Sequence, residues 1–209
     1  MIDHSHPAAK RLLIVTSIII IACIISGYVI LKMLHVSIPF SHYSFEPGTA
    51  IDSINGTNVY FNGETGEIWG RNVTSNGYNI GLKWQCVEFV KRYYYEHFDH
   101  VMPDSYGNAK DIFDRTLPDA SYNTQRALVQ YQNPSLKQPA VDDIIVFDGH
   151  LTNKYGHIAI ISKIYKDKIE IIQQNPGPDA PSREEIDLAF IDGRWKVMNK
   201  RVLGWMRIE

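Results

Sequence analysis

The chain is poor in cysteine, and its charges nearly balance. Its 209 residues include two cysteines, Cys23 and Cys86, and the net charge is −2. Cys23 lies within an apolar run far from Cys86, so we expect no disulfide. Neither cysteine belongs to a CxxC pair, and the His and Asp residues show no metal-ligand spacing, so we predict no metal and no other cofactor. Without a basic excess, we predict no nucleic-acid partner.

One long apolar run, residues 12–34, contains a single charge, Lys32. At 1.5 Å per residue it can cross a hydrocarbon core of roughly 30 Å. A cleaved signal peptide normally has an apolar region of about 7–15 residues that ends in a small-x-small site, and no such site follows here. We therefore predict an uncleaved, single-pass transmembrane helix in contact with membrane lipid, preceded by a short cytoplasmic tail (1–11) and followed by a linker (35–44).

The charges beside this run predict its orientation. Lys10 and Arg11 precede the apolar residues, whereas only Lys32 lies near the other end. The positive-inside tendency keeps the N-terminal tail in the cytoplasm. The remaining residues, 45–209, are then expected on the periplasmic or extracellular side.

Cys86 is the candidate nucleophile. Apolar residues at three- and four-residue steps predict a helix from about Gln85 to Phe98, which puts Cys86 in its first turn. The unpaired N–H groups and the helix dipole at that end favour a thiolate. Gln85 can donate its side-chain amide to an oxyanion beside the Cys86 N–H. The alternative for Cys86, a small buried apolar residue, stays open.

The second half of the chain indicates an antiparallel sheet. Strands are predicted at residues 143–147, 157–164 and 168–174, with one or two more at 195–198 and 202–206. Residues 114–140 are polar and rich in proline, which predicts an irregular excursion over the surface. A helix followed by antiparallel strands gives an α+β fold.

A thiol nucleophile needs a base, and His157 is the better candidate because it begins a rigid strand, whereas His150 lies in a polar loop. A third group must hold the other imidazole N–H. The turn after the His157 strand decides which group shares its face: a two-residue turn selects Gln174, and a three-residue turn selects Gln173 and Asn175.

Five segments together resemble one family. They are residues 81–92 (GLKWQCVEFVKR), 106–109 (YGNA), 141–147 (VDDIIVF), 156–161 (GHIAII) and 174–175 (QN). In this order they resemble the CHAP family, the cysteine, histidine-dependent amidohydrolases/peptidases, which have a papain-like α+β fold. The sequence around the cysteine is similar to that of the amidase domain of glutathionylspermidine synthetase/amidase. The resemblance covers roughly residues 45–209.

The resemblance implies a role for each candidate residue. Cys86 matches the nucleophile, His157 the general base and Gln85 the oxyanion contributor. The third member of the amidase subfamily is a Glu in a Glu-Gln-Asn run, which here reads Gln173-Gln174-Asn175. Gln173 can orient His157 without neutralising its positive charge, and Asn175 is the alternative, because an Asn serves in many papain-like enzymes.

The sequence thus predicts a membrane-anchored thiol amidase. Peptidoglycan peptide is the expected substrate if the domain faces outward, and a glutathione–polyamine amide such as glutathionylspermidine if it faces inward. A different hypothesis is a catalytically impaired CHAP fold that serves as a cell-wall or partner-binding module, because Gln173 stands where a carboxylate is expected.

Overall fold

The computed structural model describes residues 7–33, 45–177 and 179–209. The chain divides into two units, residues 1–42 and 43–209. The predicted linker 35–44, and most of the predicted tail before Pro7, lie outside the described residues. The two units are taken one at a time below.

The first unit contains helix α1, Pro7–Met33. Its segment Lys10–Ile30 has a mean hydropathy of 2.7, and its side chains are exposed almost throughout. The hydroxyls of Thr16 and Ser17 donate to carbonyls of the preceding turn, so these polar groups need no outside partner. Length and hydropathy are those of a membrane-crossing helix, and a signal sequence near an N-terminus shares these features.

The second unit has twelve strands and a second helix among its described residues. They are β1 Ala50–Ile54, β2 Thr57–Tyr60, β3 Arg71–Val73, β4 Asn79–Leu82, α2 Cys86–Phe98, a 3-10 helix at Ala109–Ile112, β5 Ser121–Asn123, β6 Leu128–Gln132, β7 Ile144–Phe147, β8 His157–Ile164, β9 Lys168–Ile172, β10 Arg183–Ile191, β11 Arg194–Val197 and β12 Val202–Arg207. Helix and sheet are therefore mixed, in agreement with the predicted α+β class.

Eight strands form one sheet in the order β11-β10-β9-β8-β7-β12-β6-β5, and every pairing is antiparallel. Strands β7 to β11 follow one another as a meander, of which the sequence predicts the part from β7 to β9. The last strand, β12, returns to pair with β7 on its free side and with β6. The hairpins β1-β2 and β3-β4 lie outside this sheet.

The central strands are buried on both faces, which explains their nearly continuous apolar sequence. On one face, Ile158, Ile160 and Ile172 pack with Phe89 and Val90 of α2. On the other, the alternate residues of the same strands join a second cluster around Trp205. Because α2 is pressed against β8, the residues that begin these two elements are brought together.

Two sequence predictions about this sheet are wrong. The segment 114–140 is not wholly irregular, because it contributes β5 and β6 to the main sheet. Strand β10 was not predicted at all. Its first three residues are charged and only Ile186 and Leu188 are buried, so the short apolar run at residues 188–191 does not by itself indicate a strand. Pairing with β9 fixes β10 as a strand, a long-range contact that no local pattern contains.

Residue spacing on α2 predicts an ion pair between Glu88 and Arg92 on the outer face of the helix, and a half-buried His97. The pair forms, with its atoms 2.8 Å apart, but it is buried rather than on the outer face. His97 is exposed and stacks on the Tyr93 ring. Residue spacing within one helix predicts such an ion pair. Whether the pair is buried depends on the packing of β2 and of residues 173–175 against that helix.

Candidate functional site

Cys86 is the first residue of α2. Gln85, the residue before it, has an extended backbone (φ −81°, ψ 159°), so the chain turns sharply into the helix. The backbone N–H groups of Ile158 in β8, of Val87 and of Cys86 itself act to lower the pKa of the Cys86 thiol. Burial raises the pKa of this thiol to about 11, and the three N–H groups offset only part of that rise. The helix start alone therefore does not produce a thiolate.

His157 is the first residue of β8 and pairs with Phe147 of β7. Gly156, just before it, has φ +78°. A Cβ on Gly156 would lie 2.5 Å from the Phe147 carbonyl oxygen and 2.8 Å from the Lys110 Cβ. Only glycine lets the chain enter the strand this closely. His150, the rival candidate, is exposed and bonds to Thr152.

Gln173 holds His157. The His157 Nε2 and the Gln173 Oε1 are 2.9 Å apart. The Gln173 Nε2 donates to the Pro181 carbonyl at 3.2 Å, which orients the amide so that its oxygen faces the imidazole. An amide oxygen only accepts, so Nε2 of His157 carries the proton and Nδ1 keeps its lone pair. The imidazole is thus held in one tautomer, with Nδ1 as the basic nitrogen.

The imidazole is also hard to protonate. Burial lowers the pKa of His157 to about 4; the bond to Gln173 opposes this shift, and the positive charge of Arg201 adds to it. With the thiol pKa of Cys86 at about 11, the site at pH 7 contains a neutral thiol and a neutral imidazole.

Next to the turn after β8, Ile164 pairs with Ile169, and the Tyr165 N–H donates to the Lys168 carbonyl at 2.8 Å. Two residues, 166 and 167, therefore form the turn, the case that by itself selects Gln174. A bulge between Ile161 and Lys163 then shifts the register by one residue, so that beyond it Ile160 pairs with Ile172. Gln173 consequently shares the face of His157, whereas Gln174 points to α2. There Gln174 donates to the Gln85 carbonyl at 3.0 Å and to Glu88 at 2.9 Å.

Gln85 and Asn175 are bonded to each other. The Asn175 Nδ2 donates to the Gln85 Oε1 at 2.8 Å and to the Thr65 carbonyl at 3.1 Å, so both of its amide hydrogens are engaged. The Gln85 Nε2 donates to the Glu67 carbonyl at 2.7 Å, which leaves it one further N–H. Gln173 is therefore the residue that contacts His157, and Asn175 positions Gln85 and the 65–67 loop.

A buried polar network beneath the nucleophile was not predicted. The carboxylate of Glu88, fully buried, accepts from Arg92, Gln174 and Asn72. The Arg92 Nη2 in turn donates to the Asn58 carbonyl at 2.8 Å. The network ties the second residue after Cys86 to the segment that supplies Gln173. The i,i+4 spacing identified its ion pair, but its burial and its amide partners are long-range features.

Within residues 7–33, 45–177 and 179–209, no group of three or more His, Cys, Asp and Glu side chains is arranged to hold a metal ion.

Comparison with known proteins finds one domain family model and several relatives that are similar to this chain. Residues 74–175 match the model of the CHAP domain. The bifunctional glutathionylspermidine synthetase/amidase of Escherichia coli (strain K12) is 29% identical over 138 residues, which are 61% of this chain and 22% of that protein. The trypanothione synthetase of Crithidia fasciculata is 25% identical over 180 residues, 81% of this chain and 26% of that protein. The chain thus spans only about a quarter, or less, of these relatives.

Solved structures give a weaker likeness. The crystal structure of Ly7917 is 19% identical with a TM-score of 0.29, and covers 48% of this chain and 37% of that one. A second structure, Ly7917 with the hydrolysing product of MDP, has a TM-score of 0.27 over 36% of this chain and 30% of that one. The match to the CHAP domain model covers residues 74–175 and includes Cys86, His157 and Gln173.

Proposed function

We propose that this protein is a thiol-dependent amidase or peptidase, with Cys86 as nucleophile and His157 as general base. The proposed catalytic domain is residues 45–209. The observation that carries the proposal is the fixed tautomer of His157: its Nε2 donates to the Gln173 Oε1 at 2.9 Å, which leaves Nδ1 as the basic nitrogen. Cys86 packs against the core cluster that includes Ile158, the residue after His157, and this packing supports a nucleophile close to the base.

In the proposed reaction, the thiol attacks a substrate carbonyl while its proton passes to Nδ1 of His157. The oxyanion is stabilised by the Cys86 N–H and by the remaining amide N–H of Gln85. His157 then gives the proton to the departing amine as the C–N bond breaks. Water, deprotonated by His157, hydrolyses the thioester and restores the thiol.

The pKa values support concerted proton transfer. With the thiol pKa at about 11 and the imidazole pKa at about 4, a preformed thiolate–imidazolium pair is strongly disfavoured. The thiol therefore loses its proton as the carbon–sulfur bond forms. Gln173 cannot neutralise the imidazolium that appears in this step, whereas a carboxylate would.

Two substrate classes follow from the relatives and from the proposed orientation. The E. coli relative is named for glutathionylspermidine, which supports a glutathione–polyamine amide. A peptidoglycan peptide is the substrate if residues 12–34 anchor the domain on the periplasmic or extracellular side. The apolar helix and the basic pair Lys10 and Arg11 support that orientation.

The alternative is a catalytically impaired CHAP fold that binds cell wall or a partner. One observation favours it: Gln173 occupies the position next to His157 where the resemblance leads us to expect a carboxylate. In that case Cys86 would be a buried residue without turnover.

The test uses the full chain in detergent micelles as wild type, Cys86→Ala and Cys23→Ala. Each is incubated with purified peptidoglycan and with glutathionylspermidine, and the release of free amines is followed. Cys23 is the matched control, because it is the other thiol and lies in α1. We expect cleavage of one substrate that is lost in Cys86→Ala and kept in Cys23→Ala. No cleavage by a folded wild-type chain would favour the binding module.

A further inference from the structure

A cavity of about 270 Å³ lies beside the residue that holds His157. We call it the lateral cavity, and its walls include Ile51, Tyr60, Phe61, Gln173, Ala180 and Pro181. The same Gln173 side chain that bonds His157 forms part of its wall. A substrate group in the lateral cavity would therefore be separated from His157 by the Gln173 side chain alone.

The lateral cavity has no charged lining residue among those the structure describes. Four acidic residues are adjacent in sequence to lining residues, namely Glu46, Asp52, Glu64 and Asp179, but none of them lines the cavity. Asp52 is already paired with Arg183 at 2.9 Å and with Ser182 at 2.7 Å. An ammonium group entering the cavity would lose water without gaining a counter-charge from the lining. The lining suits an apolar side chain.

The wall also contains two amide oxygens without a donor. Asn62 and Asn175 both line the lateral cavity, and the Oδ1 of each is buried with no hydrogen-bond partner in the described structure. An unpaired buried acceptor is unfavourable. Because neither oxygen is accessible to water, a ligand N–H can pair with one of them only if the amide side chain turns towards the cavity, and this pairing would remove the penalty. A peptide residue supplies an apolar side chain and an amide N–H together.

The other side of His157 carries positive charge. The Arg201 guanidinium lies 5.8 Å from the centre of the Phe147 ring, and that ring is 6.1 Å from the imidazole. No ion pair found among the described residues includes Arg201. A polycationic substrate would meet this unpaired charge, whereas an uncharged or anionic peptide would not be repelled.

From these observations we infer that the lateral cavity is a subsite for an uncharged, apolar amino-acid residue of a peptide substrate, and that it does not accept a polyamine chain. The inference rests on the proposed amide hydrolysis and narrows its substrate class from two to one.

The test compares matched peptides with glutathionylspermidine. The peptides are N-acetylated, C-amidated alanine pentapeptides with a single Leu or a single Lys at each position in turn, and cleavage is followed by mass spectrometry. The full wild-type chain is expected to favour Leu over Lys at one position by about tenfold or more in kcat/KM. Equal rates for Leu and Lys, or cleavage of glutathionylspermidine alone, would overturn the subsite while leaving the amidase proposal intact.

Variants of Ala180 test the place of the subsite. Ala180 is exposed at the cavity wall, so a larger side chain there fills the cavity without disturbing the core. Ala180→Trp is expected to raise KM for the Leu peptide with little change in kcat, and Ala180→Glu to improve the Lys peptide. Leu136→Trp, at a side chain that is 69% exposed elsewhere, is the matched control. A KM unchanged in Ala180→Trp would contradict the inference.

If the wild type cleaves neither the peptides nor glutathionylspermidine, ligand binding tests the subsite. Trp84 packs on Tyr60 of the cavity wall, with ring centroids 4.3 Å apart, so its fluorescence reports occupancy. Saturable quenching by N-acetyl-leucinamide, absent with N-acetyl-lysinamide and absent in Ala180→Trp, would support the subsite although the amidase proposal had failed. Equal or no response to both compounds would overturn the subsite.

Discussion

Replacing Gln173 by Glu tests the electrostatic reasoning about the site most directly. The substitution places a carboxylate 2.9 Å from the His157 Nε2. At an effective dielectric constant of about 20, a charge pair about 3 Å apart attracts by about 5 kcal/mol, or about 4 pKa units. Burial of the new carboxylate offsets part of this, since Gln173 is only 3% exposed. The expected rise in the pKa of His157 is therefore about 1–3 units, from about 4 into the range of about 5 to 7.

The substitution also has a cost. Gln173 donates to the Pro181 carbonyl, and a carboxylate would face that oxygen without a proton. We expect a loss of about 1–3 kcal/mol in the free energy of unfolding. At pH 7 the gain in imidazolium stability should still raise kcat/KM by about tenfold or more, because each 1.4 kcal/mol removed from the barrier gives a factor of ten.

The assay is the pH dependence of kcat/KM for whichever amide the wild type cleaves. Its acidic limb reports the pKa of the free base, so the limb should move upward by about 1–3 units in Gln173→Glu. Gln173→Met, which has a similar length but neither acceptor nor charge, should reduce activity without moving the limb upward. An acidic limb that stays in place in a folded Gln173→Glu chain would refute the assignment of His157 as base and Gln173 as its partner.

Three further outcomes are expected of the full chain. Glu88→Gln leaves the buried Arg92 without its carboxylate and should lower the free energy of unfolding, measured in urea, by about 3–5 kcal/mol. The control Glu96→Gln, at an exposed position on the same helix, should lower it by less than about 1 kcal/mol. Similar losses in both variants would contradict the buried network. Gly156→Ala forces a Cβ against the β7 backbone and should reduce kcat/KM by more than about tenfold, because it displaces His157. Wild-type activity in Gly156→Ala would argue against His157 as the base. The pKa of His157 is lower in the folded chain than the ordinary value of 6.5, so between about pH 6.5 and 4 only the unfolded chain takes up that proton. As the pH falls through this window, the free energy of unfolding should drop by about 1–3 kcal/mol more in the wild type than in His157→Asn. Parallel pH curves for the two chains would contradict the lowered pKa of His157.

Local sequence was enough to predict the two elements that begin with the candidate residues Cys86 and His157. The three- and four-residue spacing of apolar positions predicted α2, with Cys86 in its first turn, and the start of β8 at His157 follows from a glycine before an apolar run. The apolar run 12–34 likewise predicted α1, whose length and hydropathy are intrinsic to that segment. Such features are repeated along the chain at short range, so a single sequence contains them.

The partner of His157 could be narrowed from sequence but not chosen. Face parity limited it to Gln174, or to Gln173 and Asn175. The turn has two residues and by itself selects Gln174, but the bulge after Ile161 shifts the register and brings Gln173 to the imidazole. Asn175 bonds to Gln85 instead. A bulge is a property of two paired strands, and neither strand's sequence records it.

Only the tertiary structure decided the protonation of the site. The first turn of a helix favours a thiolate, and this was the sequence-based expectation for Cys86. Packing of α2 against β8 leaves the thiol and the imidazole only partly exposed, and the loss of water outweighs the effect of the N–H groups around the sulfur on the thiol pKa. The sequence by itself determined which candidate residues begin α2 and β8. Register, burial and the lateral cavity depend on contacts between distant segments, and desolvation exists only once those segments pack together.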